Sequence, residues 1–293
     1  MVNSVPTSFL SICGIIFAVA GTASNASNST FFVTLQQSTS VSTSPYTYAD
    51  LAARAERATV IADSKIKSVT KMEKPFAGTN GTQVQRLYIE AEITNLIRSN
   101  QAAANQIGYL VDVPLDSRGK LPKLKKQRVI IFAKPVAGKP GILQLVSPNA
   151  QIIWDSISDA RVRSIAAELL NTNAPPNVTN VDSAFHAAGT LEGEGDTQIF
   201  LGTSNGNPAS LSVRTRPGVE PTWAVAFGEV VSESSQVPEK ESLAWYRLAC
   251  GLPESIPPAA YEGNHEDRRI EIQRDYNFVK TQLGPCTRNL PTI

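Results

Sequence analysis

The sequence predicts an α+β protein: a small antiparallel β-barrel domain of OB-like type, followed by an α+β domain with a three-stranded meander and C-terminal helices. Three observations carry that expectation. Leu87, Ile89, Ala91 and Ile93 alternate with Arg86, Tyr88, Glu90, Glu92 and Thr94, the period of a half-buried strand. Over 198–231 two strand-like runs flank Ser204-Asn205-Gly206-Asn207, a turn composition in which Asn-Gly supplies positive φ angles, and a second turn leads into a third run from Trp223. Near the C-terminus Ile272, Tyr276, Val279 and Leu283 recur at helical spacing.

Along the chain, Phe9–Ala20 is an apolar run of 12 residues that ends in the small-residue pattern Ala18-Val19-Ala20 and is followed by Gly21-Thr22-Ala23. The run is shorter than the ~20 residues that cross a bilayer and has the form of a signal-peptide core, so 1–23 is read as a signal peptide. A retained N-terminal anchor is the alternative. Residues 24–46 hold 11 Ser or Thr and no charge, the composition of a linker. Removal of the signal takes Cys13 with it and leaves Cys250 and Cys286. An even pair in an oxidising compartment is predicted to form a disulfide.

The β-barrel domain is placed at 47–154. Thr47 with Asp50 three residues on opens a short helix, TYADLAARAERA. Strands are expected at 59–70, around 86–94, at 107–113, at 128–134 and within 142–153; five strands with turns between them suit a small barrel. The second domain is placed at 155–293. Val162, Ile165, Ala166 and Leu169 share a helical face after Ser158, and Pro175-Pro176 lies beyond that element. The meander follows, then a helix from Ser242 to Gly251 and another from Asn264, a good N-cap, to Gly284-Pro285.

Composition excludes several classes. There are 27 Lys and Arg against 26 Asp and Glu, a net charge of +1, which lacks the basic excess of a nucleic-acid binder. Three cysteines and two histidines exclude a Cys-rich zinc scaffold and leave little for a multi-histidine metal site. The chain contains no G-x-S-x-G elbow, P-loop, G-x-G-x-x-G or C-x-x-C. No cofactor is implied.

The string YLVDVPLDSRGKLPKLKKQRVIIFAKPV, with GEGDTQIFL and SLAWYRLACGLP further on, resembles a family of uncharacterised secreted proteins of alphaproteobacteria. The resemblance covers most of the chain after about residue 47. It implies a periplasmic or extracellular location and no particular activity, so it assigns no catalytic residue.

Two clusters remain. His186 precedes an acidic, glycine-punctuated run of Glu192, Glu194 and Asp196. Such a run can wrap a hard cation, though the EF-hand pattern fails at Thr197 and Thr203. Alternatively His186 is a general base oriented by Asp182, Glu192, Glu194 or Asp196, the basis of a hydrolase-type reading. The second cluster is Arg118, Lys120, Lys123, Lys125, Lys126 and Arg128, six basic residues and no acidic one in 11 positions. It suits an anionic envelope component, or a solvated loop that protects a strand edge. No aromatic residue interleaves, so the stacking used for single-stranded nucleic acid is missing. The leading expectation is an exported, non-catalytic binding protein of the bacterial envelope, with an unknown protein or anionic envelope component as partner and no membrane span in the mature chain.

Overall fold

The computed structural model describes residues 44–78, 81–102, 104–228, 236–261 and 265–291. The signal-peptide reading, nearly all of the 24–46 linker, and the Asn264 cap fall outside them. The expected mixed α+β character holds.

In chain order the elements are α1 (Tyr48–Arg57), β1 (Val60–Lys71), β2 (Phe76–Ala77), β3 (Gln83–Ser99), β4 (Gln106–Pro114), β5 (Arg128–Pro135), β6 (Leu143–Leu145) and β7 (Gln151–Ile153). After them come α2 (Ser156–Leu170), β8 (Val178–Ala188), β9 (Gly195–Thr203), β10 (Ala209–Arg216) and β11 (Val219–Phe227). The chain ends with α3 (Leu243–Gly251), a 3-10 turn at Pro258–Tyr261 and α4 (Glu266–Leu283).

The first sheet is antiparallel in its ladders and runs β2-β3-β1-β5-β6, with β4 on β3 and β7 on β5. It is not a closed barrel. Between β4 and β6 the only pairing among the described residues is an isolated parallel bridge, Gly108 to Ile142. The physical reason lies in the 142–153 segment. Instead of one strand it forms two three-residue pieces that both pair with β5, and between the main-chain bonds to β4 at Gly141 and Pro148 six residues stand against three of β4, so no ladder registers there. The alternation in β3 is as expected: Leu87, Ile89 and Ala91 are buried, and their neighbours face outward.

The second sheet is antiparallel in the order β11-β10-β9-β8. It contains the expected meander plus β8, which the sequence reading left out. The β9–β10 turn also differs in detail. Gly206 has φ +75°, whereas Asn205 is not in the left-handed region; its Oδ1 accepts from Asn207 N at 3.1 Å instead.

Helices α1, α2 and α3 pack together and join the sheets, and the buried side chains form a single cluster spanning 48–283. The α1 N-terminus has the capping box that Thr47 and Asp50 imply. Asp50 also accepts from the main-chain N–H of Asn289 at 3.0 Å and Leu290 at 3.1 Å, tying the C-terminal segment to α1. Helix α2 is capped by Asp155, whose Oδ1 accepts from both Ile157 N and Ser158 N. The α4 stripe of Ile272, Tyr276, Val279 and Leu283 is buried as read, and Gly284 ends the helix at φ +72°.

Cys250 in α3 and Cys286 after α4 are bonded, closing a loop 36 residues long. Loop closure of that length stabilises a fold by about 4 kcal/mol on the chain-entropy account. Trp223 and Trp245 are core anchors, the latter donating Nε1–H to Leu283 O at 2.8 Å. No helix among the described residues is long and apolar enough to cross a membrane.

At the centre of the first sheet, β1 buries Asp63, whose side chain is 0% exposed. Arg128 donates to it from Nε at 2.7 Å and Nη2 at 2.5 Å, and Asn95 Nδ2 donates at 2.8 Å. Burial alone would raise the Asp63 pKa; these donors outweigh it and hold the group below its usual 3.8. Its contribution is therefore present above pH 3.8 and is lost as pH falls through the lower folded value. Replacing Arg128→Met leaves the buried carboxylate with Asn95 as its remaining side-chain donor and is expected to cost about 2 kcal/mol at neutral pH, less than a fully buried pair because the guanidinium is partly exposed. Urea unfolding would show that loss, and the gap from the wild type should narrow below pH 3.8 as Asp63 protonates.

Candidate functional site

β8 and β9 pair so that His186 lies opposite Thr197, and both point inward beneath α4. The alternation that puts Ile199 and Leu201 in the core also puts Thr197 there. From α4, Asp275 meets them. Thr197 Oγ1 donates to Asp275 Oδ2 at 2.5 Å, and His186 Nδ1 lies 2.8 Å from Thr197 Oγ1. A carboxylate only accepts, and threonine has one hydroxyl proton. That proton goes to Asp275, so Thr197 accepts from His186. His186 therefore carries its proton on Nδ1, and Nε2 keeps a lone pair. Arg274 donates to the other Asp275 oxygen, Oδ1, at 3.0 and 3.1 Å.

The side chains of His186 and Asp275 are 5% and 2% exposed. Desolvation is the main influence on His186 and lowers its pKa from 6.5; Arg268 and Arg274 act in the same direction, while Asp275 and Glu271 oppose them. The ring stays neutral, as a base or a ligand requires. Gly195 is essential to its seat, because a Cβ there would collide with Cε1 and Nε2 of the imidazole.

His186 lines a cleft of about 420 Å³. One wall is the Ala188–Glu194 loop and the other is the α4 face carrying Asp267, Arg268, Glu271 and Arg274. The carboxylates expected to serve His186 are employed elsewhere. Glu194 Oε2 accepts from Thr190 N at 3.2 Å, closing its own loop, and Asp196 pairs with Arg214 at 2.9 Å on the outer face. Asp182 accepts from Asn180 at 2.6 Å, and Glu192 is exposed. Asp275 takes the place they were expected to fill, reaching the imidazole through Thr197. Its sequence signal was a charged residue within the apolar stripe of α4, one position before Tyr276. Among the described residues no three His, Cys, Asp or Glu side chains group as a metal site. His265 precedes α4 and makes no capping hydrogen bond through its side chain.

The basic run forms the β4–β5 loop, and its members divide into two groups. Arg128 is half-buried and structural, bound to the buried Asp63 and lying 3.7 Å from the centroid of the Trp154 ring. Arg118 sits 3.8 Å from Asp116. Lys120, Lys123, Lys125 and Lys126 are exposed, and no ion pair holds them among the described residues. The loop that carries them is nevertheless pinned. Asp116 Oδ1 accepts from Arg118 N and Lys120 N, Leu124 is buried, and Lys126 N donates to Ile66 O at 2.9 Å. Lys126 itself holds φ +71°, and that main-chain bond keeps it there.

No protein-family model matches this chain, and no curated protein matches it.

The proton placement is directly checkable. Nitrogen NMR of His186 should report the Nδ1–H tautomer at pH 7, with titration below pH 6.5. Because its folded pKa is depressed, its contribution to stability is present above pH 6.5 and declines as pH falls through the folded value. Thr197→Val should abolish the fixed tautomer. A mixture of both tautomers in the wild type would contradict the assignment.

Proposed function

We propose that this is an exported binding protein of the bacterial envelope that docks on phosphate-bearing lipid headgroups through its β4–β5 loop. The observation that carries this reading is the set of four lysines, Lys120, Lys123, Lys125 and Lys126, held on a fixed main chain without acidic partners among the described residues. A presented cluster loses little conformational freedom on docking, and each lysine near an anionic surface contributes roughly 1 kcal/mol. The Cys250–Cys286 disulfide supports an oxidising compartment, as do the apolar run at Phe9–Ala20 and the resemblance to alphaproteobacterial secreted proteins. We read the strand circuit β1-β3-β4-β6-β5 as an OB-like barrel left open on one side.

The full chain should sediment with phosphatidylglycerol vesicles and not with phosphatidylcholine vesicles, and about 0.5 M salt, which shortens the Debye length to about 4 Å, should release it. Substituting all four lysines by glutamate should reduce binding at least a hundredfold, on the order of the summed lysine contributions. Retained binding in that variant would overturn the proposal.

The His186 cleft favours a second reading, a hydrolase-type activity. There the Nε2 lone pair accepts a proton from water as the water oxygen adds to an acyl carbon, and the bond from that carbon to the leaving oxygen then breaks as the imidazolium returns the proton to the leaving oxygen. Thr197 and Asp275 act as positioning residues, fixing the ring and its tautomer. A chromogenic acyl ester tests it: turnover that His186→Gln abolishes at unchanged thermal stability supports this reading, and no turnover by the wild type ends it.

A further inference from the structure

A second opening lies in the first sheet, where β4 and β6 part. Two main-chain bonds close its ends: Gly108 N donates to Gly141 O at 2.8 Å, and Asp112 N donates to Pro148 O at 2.7 Å. Between them β4 contributes only Tyr109, Leu110 and Val111, whereas the opposite side runs from Ile142 to Ser147. The longer side bows away from the shorter. The N–H groups of Gly108 and Asp112 point across the seam, so by the alternation of a strand that of Leu110 does too. No ladder pairs it with β6 among the described residues.

The opening is a cleft of about 620 Å³, within the range of small-molecule sites. Its walls are apolar: Met72, Leu110, Val136, Ile142 and Leu143 line it. Met72 and Leu110 are 52% and 47% exposed, large for aliphatic side chains that flank one cleft. The two ends differ in charge. At the Asp112 end, Arg86 and Asp112 satisfy each other through bonds of 2.8 and 2.9 Å. At the Gly108 end stands Lys139, exposed and without an ion pair among the described residues, while Glu90, opposite Gly108, accepts from Ser68 Oγ and lines the adjoining cleft beside Lys67 rather than this one. Tyr88 shares that end. Its hydroxyl lies so close over Gly108 that any Cβ there would collide with it, and it makes no hydrogen bond with another described residue.

We propose that this seam binds a compact apolar molecule carrying a single carboxylate. The apolar body lies along Leu110, Ile142 and Leu143. The carboxylate sits at the Gly108 end, where Lys139 supplies the unmatched positive charge and Tyr88 a hydroxyl donor. An extended peptide strand does not fit, because both ends are closed and three β4 residues span only about 10 Å. The site is separate from the lysine loop, so its test does not depend on the docking proposal.

Calorimetry of the full chain with octanoate and with methyl octanoate, its uncharged counterpart, tests the site. Octanoate should bind saturably at one site, at least tenfold more tightly than the ester. Leu110→Glu should weaken both tenfold or more. Lys139→Met should weaken octanoate alone and so erase the preference. Leu110 and Lys139 are surface positions, and circular dichroism establishes that both variants fold. A third variant, Gly108→Ala, displaces the Tyr88 ring and should also weaken octanoate. Absence of saturable octanoate binding would overturn the proposal. So would binding that Leu110→Glu leaves unchanged, or a preference for the acid that survives Lys139→Met.

Discussion

A carboxylate buried in the middle of a sheet has to be answered by donors, and Asp63 is answered from two neighbouring strands. Arg128 reaches it from the start of β5, and Asn95 from β3. Left unpaired, such a charge costs several kcal/mol, so strand registers that separate these groups are disfavoured. A slip of one residue would turn Arg128 or Asn95 to the opposite face. The Arg128 guanidinium then covers Trp154, just beyond β7 and just before α2. One buried charge thereby links β1, β3 and β5 to the entry of the helical layer.

The same constraint shapes the lysine loop. Its last basic residue is held against the sheet by the buried Asp63, and Leu124 is drawn in by the hydrophobic effect, so the exposed lysines are displayed from a segment fixed at several points. A uniform basic run in the sequence becomes, in three dimensions, one structural arginine, one arginine beside its own loop's aspartate and four presented lysines. The seam between β4 and β6 follows from what the sheet lacks. Between the bonds at Gly141 and Pro148 six residues face three of β4, so the sheet stays open where Leu110 and Ile142 flank the gap.

Over the second sheet the buried carboxylate comes from α4, Asp275, and it fixes an imidazole. Thr197 passes on the hydrogen bond, which sets where the proton on His186 resides. The arrangement depends on Gly195 leaving room for the ring, which gives that glycine of the acidic run a role unrelated to chelation. The acidic residues around it cap the loop or pair with the outer face, as short polar turns ordinarily do.

The sequence by itself determined the elements whose signal is local. The alternation of β3, the capping box of α1, the buried stripe of α4 and the pairing of the last two cysteines all follow from spacing and from residue chemistry. Strand β8 escaped because its buried positions, Val178, Val181 and Ala184, recur every third residue across two bulges and so lack a strand's period of two. Only the tertiary structure decided that Asp275, 78 residues beyond Thr197, completes the histidine's surroundings. Only it decided that Arg128 answers the buried Asp63 and that the first sheet stays open between β4 and β6. Each of these is a meeting of side chains or strand edges brought together by packing, and periodicity along one element carries no information about what lies across from it.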